Sequence, residues 1–153
     1  MPDQASAGEE TLSANHVLEY PYTRSVGPVI GRFLAGLRDQ RIEGVKTKGG
    51  TVLVPPIEYD PATAEEVTTE FVEVGPTGVV TTWCWVAKPR SKQPLDRPFA
   101  WAFIRLDGAD TAMLHAVDAG SPDAMKTGAR VRPRWREQRT GMITDIECFE
   151  LVG

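Results

Sequence analysis

The chain has 153 residues, 41% of them hydrophobic, a formal net charge of -4 and a sequence pI of about 5.2. This length sets one domain, or one domain with an extension, around a modest core. The acidic balance gives no global signal for nucleic acid. No apolar run reaches membrane-spanning length, and the N-terminus lacks the basic-then-apolar order of a secretion signal, so a soluble, cytoplasmic protein is expected.

Residues 1–14 are small and polar and read as a flexible tail. The next segment, Asn15-His-Val-Leu-Glu-Tyr-Pro-Tyr-Thr-Arg-Ser, gathers aromatics around Pro21 and reads as an extended arm. A helix follows. Pro28 suits a first turn, where its missing N–H costs little. Val29, Ile30, Phe33, Leu34 and Leu37 then fall on one apolar face. Gly31 and Gly36 weaken that helix alone and leave room for a close neighbour. Residues 15–40 thus form an arm and a docking helix.

Residues 41–66 read as a short hairpin and a turn. Arg41–Thr47 and Thr51–Val54 are its strands, Gly49-Gly50 its tight turn, and Pro55-Pro56 its stop. Asp60–Glu66 is a turn before the main sheet. Residues 67–153 carry strand patterns over 67–75, 78–88, 98–107, 111–118, 129–137 and 143–151. Trp83 and Trp85 share one strand face, as do Phe99, Trp101 and Phe103. Asp107-Gly-Ala-Asp110 is a hairpin turn. Ser121-Pro-Asp-Ala-Met-Lys reads as a short helix with Ser121 as N-cap. Five or six strands with one short helix between the fourth and fifth match a mainly β, partly open Greek-key barrel of the OB type.

The sequence offers no catalytic set. It has no nucleophile elbow, no P-loop and no glycine-rich dinucleotide loop after a strand. Cys84 and Cys148 sit in apolar strand-like segments and read as buried free thiols. His115 reads as a satisfied strand residue, and His16 as solvated or at an interface. Two cysteines and two histidines this dispersed build no closed zinc site.

Two surfaces remain. Arg130, Arg132, Arg134 and Arg136 alternate on one strand face, and Lys88, Arg90, Lys92 and Arg97 crowd a long loop. Such a face could take single-stranded nucleic acid, with Trp83, Trp85 and Trp101 as stacking platforms. It could hold the phosphates of a coenzyme A thioester. It could also be a solvated face balanced by Asp and Glu. The arm, with Tyr20, Tyr22 and Arg24, has hot-spot residue types. It reads as an interface or as a cover for its own barrel.

The order of parts resembles the acyl-CoA-associated family long filed as domain of unknown function thirty-five, over about residues 27–151. Phe33-Leu-Ala-Gly-Leu-Arg-Asp-Gln-Arg41 and Val54-Pro-Pro56 look like its flanking pattern. Leu106-Asp-Gly-Ala-Asp-Thr-Ala-Met-Leu-His115 and Ile143-Thr-Asp-Ile-Glu-Cys-Phe149 look like its barrel strands. That family carries a rubredoxin-like zinc ribbon with two Cys-x-x-Cys pairs. Here the matching positions read Ile42-Glu-Gly-Val45 and Tyr59-Asp-Pro-Ala62, so the resemblance implies a degenerate, metal-free ribbon.

The arm Asn15–Gly27 looks like an actinobacterial subset that occurs alone or fused behind a hotdog-fold hydratase domain. Its members pair with thiolase-like lipid-transfer proteins in sterol side-chain breakdown. The resemblance implies a non-catalytic subunit of a retro-aldolase acting on a steroid acyl-CoA, with two copies of each protein. It implies an interface at Tyr20, Tyr22, Arg24, Val29, Phe33 and Leu37. It also implies an acyl-CoA path past Trp83, Lys88, Arg90, Arg132 and Arg134. No catalytic residue, cofactor, metal or membrane contact is expected of this chain, and nucleic-acid binding is the alternative.

Overall fold

A computed structural model describes residues 11–153. Most of the expected tail, residues 1–10, lies outside the described residues. From residue 11 to Val26 the chain has no regular secondary structure and is exposed throughout.

The helix α1 spans Gly27–Arg38, with proline in its first turn. It buries Phe33, Gly36 and Leu37. Gly36 is needed for a close approach, since a Cβ there would lie 3.1 Å from the Arg41 carbonyl oxygen. The chain then forms β1 (Ile42–Lys46) and β2 (Val52–Leu53), which pair antiparallel with Val45 opposite Leu53. Gly50, at φ +91°, makes the turn between them.

The strand β3 (Phe71–Val74) departs from the sequence expectation. It pairs with β1, with Ile42 opposite Val74, and completes a three-stranded sheet in the order β2-β1-β3. The barrel therefore starts only at Gly78. Its strands are β4 (Gly78–Val86), β5 (Phe99–Leu106), β6 (Met113–Asp118), β7 (Arg130–Trp135) and β8 (Ile146–Leu151). They close in the order β4-β5-β6-β8-β7, with β6 and β8 parallel and the other pairs antiparallel. Closure through β4–β7 removes the exposed sheet edges, and one parallel contact between third and fifth barrel strands is the OB arrangement.

The expected short helix is a single 3-10 turn, Pro122–Ala124, and the Ser121 side chain makes no capping bond. The start of the expected last strand, Ile143–Asp145, is a second 3-10 turn. Asp145 shapes it. Its carboxylate is 2% exposed and accepts backbone N–H bonds from Thr140 (3.0 Å), Gly141 (2.7 Å) and Met142 (3.1 Å). Burial pushes this carboxyl up, but the three N–H groups outweigh burial and hold it below the ordinary aspartate value. A depressed folded-state pKa contributes stability that is present above the unfolded value near 3.9 and is lost as pH falls through the folded value. Asp145→Ala is therefore expected to cost about 2–3 kcal/mol near neutral pH. Its loss relative to wild type should shrink in urea titrations repeated in strong acid.

One contiguous core joins the parts. Phe33 and Leu37 of the helix, Ile42, Val52, Val54 and Val74 of the small sheet, and Val80, Ile104, Val131 and Phe149 of the barrel belong to the same buried cluster. The edge of the small sheet is also clasped to the β5–β6 turn. Val52 N–H donates to Asp110 Oδ2 (2.7 Å), Val54 N–H donates to Thr111 Oγ1 (2.7 Å), and the Thr111 hydroxyl donates back to the Val54 carbonyl (3.0 Å).

Candidate functional site

Among the described residues the arm and the end of the tail before it are the most exposed apolar stretch. Leu12 of the tail is 89% exposed, Val17, Leu18, Tyr20 and Tyr22 of the arm are 65–80% exposed, and Arg24 is exposed beside them. It does not cover its own barrel. Val29 is half-buried at the start of α1. Phe33 and Leu37 correct the expected interface. They are 3% and 0% exposed, because the helix turns that face into the chain's own core. They can support a docking surface but cannot touch a partner.

The arginine face is balanced by acids. Arg130 binds Asp107 and Thr77, Arg132 binds Glu150 at 2.8 Å, and Arg134 binds Glu147 at 2.6 Å and Asp118 at 3.1 Å. Arg130 and Thr77 hold the Asp107 carboxyl down to about 2. Burial raises the Asp118 carboxyl, yet Arg97 and Arg134 outweigh it and keep it below its ordinary value. Arg132 and Arg134 are thus committed to carboxylates of β8 and, for Arg134, to Asp118 at the end of β6, a poor start for an acyl-CoA path. Lys88 and Arg90 are exposed on the long loop. Trp83 and Trp85 pack partly buried against the main core, opposite Ala102 and Ala100. Trp101 lies on the other side of the sheet, so the three indoles form no common stacking platform.

The buried ionisable groups are occupied. Glu43 is 5% exposed and takes a two-pronged bond from Arg32, at 2.8 and 3.2 Å, which lowers its pKa against burial. His115 is 6% exposed. Its Nδ1 lies 2.9 Å from the Ala116 backbone nitrogen and 3.4 Å from the Ala116 carbonyl oxygen. Burial lowers its pKa against hydrogen bonding with the backbone of Ala116 and Ile143. Cys148 is fully buried and its thiol is pushed up to about 11, chiefly by burial. Cys84 is exposed, contrary to expectation, because its strand turns Trp83 and Trp85 inward and Cys84 outward.

The ribbon positions do not suit a metal. Ile42 and Val45 are buried at 2% and 0%, while Tyr59 and Ala62 are exposed. None carries a thiolate or imidazole, and two are already used in packing. Packing is close at Gly44, where a Cβ would lie 2.8 Å from the Leu53 carbonyl oxygen, Val52 Cγ1 and Val54 Cγ2. Gly44→Ala is expected to destabilise the chain by about 1–3 kcal/mol, read from the urea midpoint.

A groove on the outer barrel wall escaped the sequence reading. It has a volume of about 370 Å³ and is lined by Trp101, Leu114, Ile143 and Ile146, with His115 among them and Lys92 and Arg136 at the polar edge. Trp101 pairs with Ala116 and Phe103 with Leu114 across β5 and β6. Phe103, Leu114, Met142 and Ile143 are 44%, 53%, 56% and 41% exposed. The spacing of Phe99, Trp101 and Phe103 was legible, but not which of them faces water. Phe99 is fully buried and stacks edge-on against Trp101 at 5.3 Å.

Residues 71–136, less than half of the chain, match the family described as "ChsH2, C-terminal OB-fold domain". No curated protein matches the chain. Among solved structures, the chain is similar to one described as "Ltp2-ChsH2(DUF35) aldolase", with a TM-score of 0.60 and 18% identity over 84% of this chain and 98% of that one. It is similar also to a protein of unknown function from the DUF35 family of Sulfolobus solfataricus, with a TM-score of 0.60 and 20% identity over 82% of this chain and 83% of that one. The family match lies mostly on the barrel, and the two solved structures share the fold of this chain.

Proposed function

We propose that the chain is a non-catalytic accessory subunit that docks on a thiolase-fold aldolase. The observation that carries this is the arm. Its large apolar side chains, Val17, Leu18, Tyr20 and Tyr22, lie in water with nothing of their own fold over them. The buried Glu43, His115 and Asp145 are each engaged in structural hydrogen bonds, which suits a scaffold. The similarity to a structure described as "Ltp2-ChsH2(DUF35) aldolase" supports a partner protein and an aldolase assembly. In our reading the partner is a thiolase-like lipid-transfer protein, with two copies of each chain, and the pair cleaves a steroid side-chain acyl-CoA by a retro-aldol reaction. The ribbon in this reading keeps its shape by packing, without zinc.

The test is a retro-aldol assay on a steroid side-chain acyl-CoA, run with the thiolase-like protein alone and with the pair. Activity that requires both supports the proposal. Full activity of the thiolase-like protein alone contradicts it. No specific observation favours the nucleic-acid alternative, since the arginine face is ion-paired and the indoles are split between two sides of the sheet.

A further inference from the structure

The geometry points to a ligand site in the outer groove between the β5–β6 wall and the segment from Arg136 to Ile146, suited to a small organic anion with an apolar body. Three features carry it. First, the volume, about 370 Å³, is in the range of small-molecule pockets. Second, its walls are mainly apolar. Trp101, Leu114 and Ile143 offer an indole and branched aliphatic surface over the buried Ile146, and half-exposed Leu114 and Ile143 gain by being covered.

Third, the charge at its edge is one-sided. Among the described residues, Lys92 and Arg136 take part in no side-chain ion pair, unlike Arg97, Arg130, Arg132 and Arg134 nearby. The one carboxylate on the groove, Glu147, is held by Arg134 at 2.6 Å and 3.6 Å separates Arg134 from Glu150 behind it. A ligand therefore meets two uncommitted cations and no free acid. Arg136 can grip a carboxylate or phosphate with two parallel N–H bonds, and Lys92 adds a point charge. His115, 6% exposed and tied to the backbone, is a fixed wall here.

This site is separate from the arm and meets the arginine face only at its unpaired end, Arg136, and it does not rest on the accessory-subunit reading. The test uses the full chain alone. Decanoate, decyl phosphate and decyltrimethylammonium are titrated while the Trp101 indole and the Leu114 and Ile143 methyl signals are followed by NMR. The two anions should shift these signals saturably and the cation should not. The better anion identifies the headgroup, carboxylate or phosphate. Lys92→Gln with Arg136→Gln should weaken the better anion about tenfold or more. Both side chains are exposed, so the fold should be unchanged. Leu114→Gln provides a second variant that should weaken binding through the wall. Equal binding of the cation, anion shifts confined to other residues, or wild-type affinity in the double variant would overturn the site. So would a double variant that loses only its protein partner and keeps anion binding.

Discussion

Phe33→Ala is expected to lower the stability of the isolated chain by about 3–5 kcal/mol, the cost of emptying a large buried site. Phe33 is 3% exposed and shares a cluster with Leu37, Ile42, Val54 and Val74. Its loss opens a cavity where the helix, the small sheet and the barrel meet. Urea unfolding of the chain without any partner measures this. A shift below about 1 kcal/mol would mean that Phe33 is a surface contact after all. With the full expected loss of stability, weakened complex formation in this variant reflects partial unfolding, which circular dichroism on the same sample detects.

The opposite pattern is expected for Tyr20→Ala combined with Tyr22→Ala. Both rings are more than 70% exposed, at 74% and 80%, so the free chain should keep its stability within about 0.5 kcal/mol. Binding to the thiolase-like partner should weaken by about 2 kcal/mol or more, roughly thirtyfold, as expected for aromatic hot spots. The two variants together separate a residue that holds the fold from residues that hold a complex. Unchanged affinity with both tyrosines removed would move the interface elsewhere, with the outer barrel wall the next surface to test.

Much of the fold was legible because its signals are local. Pro28 and the spacing of Val29, Phe33 and Leu37 announce the helix, and Gly49-Gly50 announces the hairpin turn. The alternation of Phe99, Trp101 and Phe103 announces a strand. What was not legible depends on pairing across the chain. Phe71–Val74 has a strand pattern whichever sheet it joins, and only its pairing with β1 removes it from the barrel. Asp110 and Thr111 look like turn residues, yet their side chains clasp β2 from more than fifty positions away.

The candidate site shows the same division. The arm was legible because Tyr20, Pro21 and Tyr22 lie in a segment with no apolar period of its own. The helix face misled because the same apolar period serves a docking face and an internal one, and Phe33 and Leu37 took the internal role. The four arginines of β7 and its extension were legible as a face. The carboxylate partners of three of them, Arg130, Arg132 and Arg134, are Asp107, Asp118, Glu147 and Glu150 and come from three other segments. The outer groove needs Lys92, Trp101, Leu114, Arg136 and Ile143 brought together from five separate stretches, and no spacing rule connects them.

The most direct test of the account is co-expression of this chain with the thiolase-like protein, with a tag on one of the two, followed by sedimentation of the purified material. The account predicts a single hetero-oligomer that contains both chains and that dissociates when Tyr20 and Tyr22 are replaced by alanine. Two separate species at micromolar concentrations, with the arm intact, would contradict it.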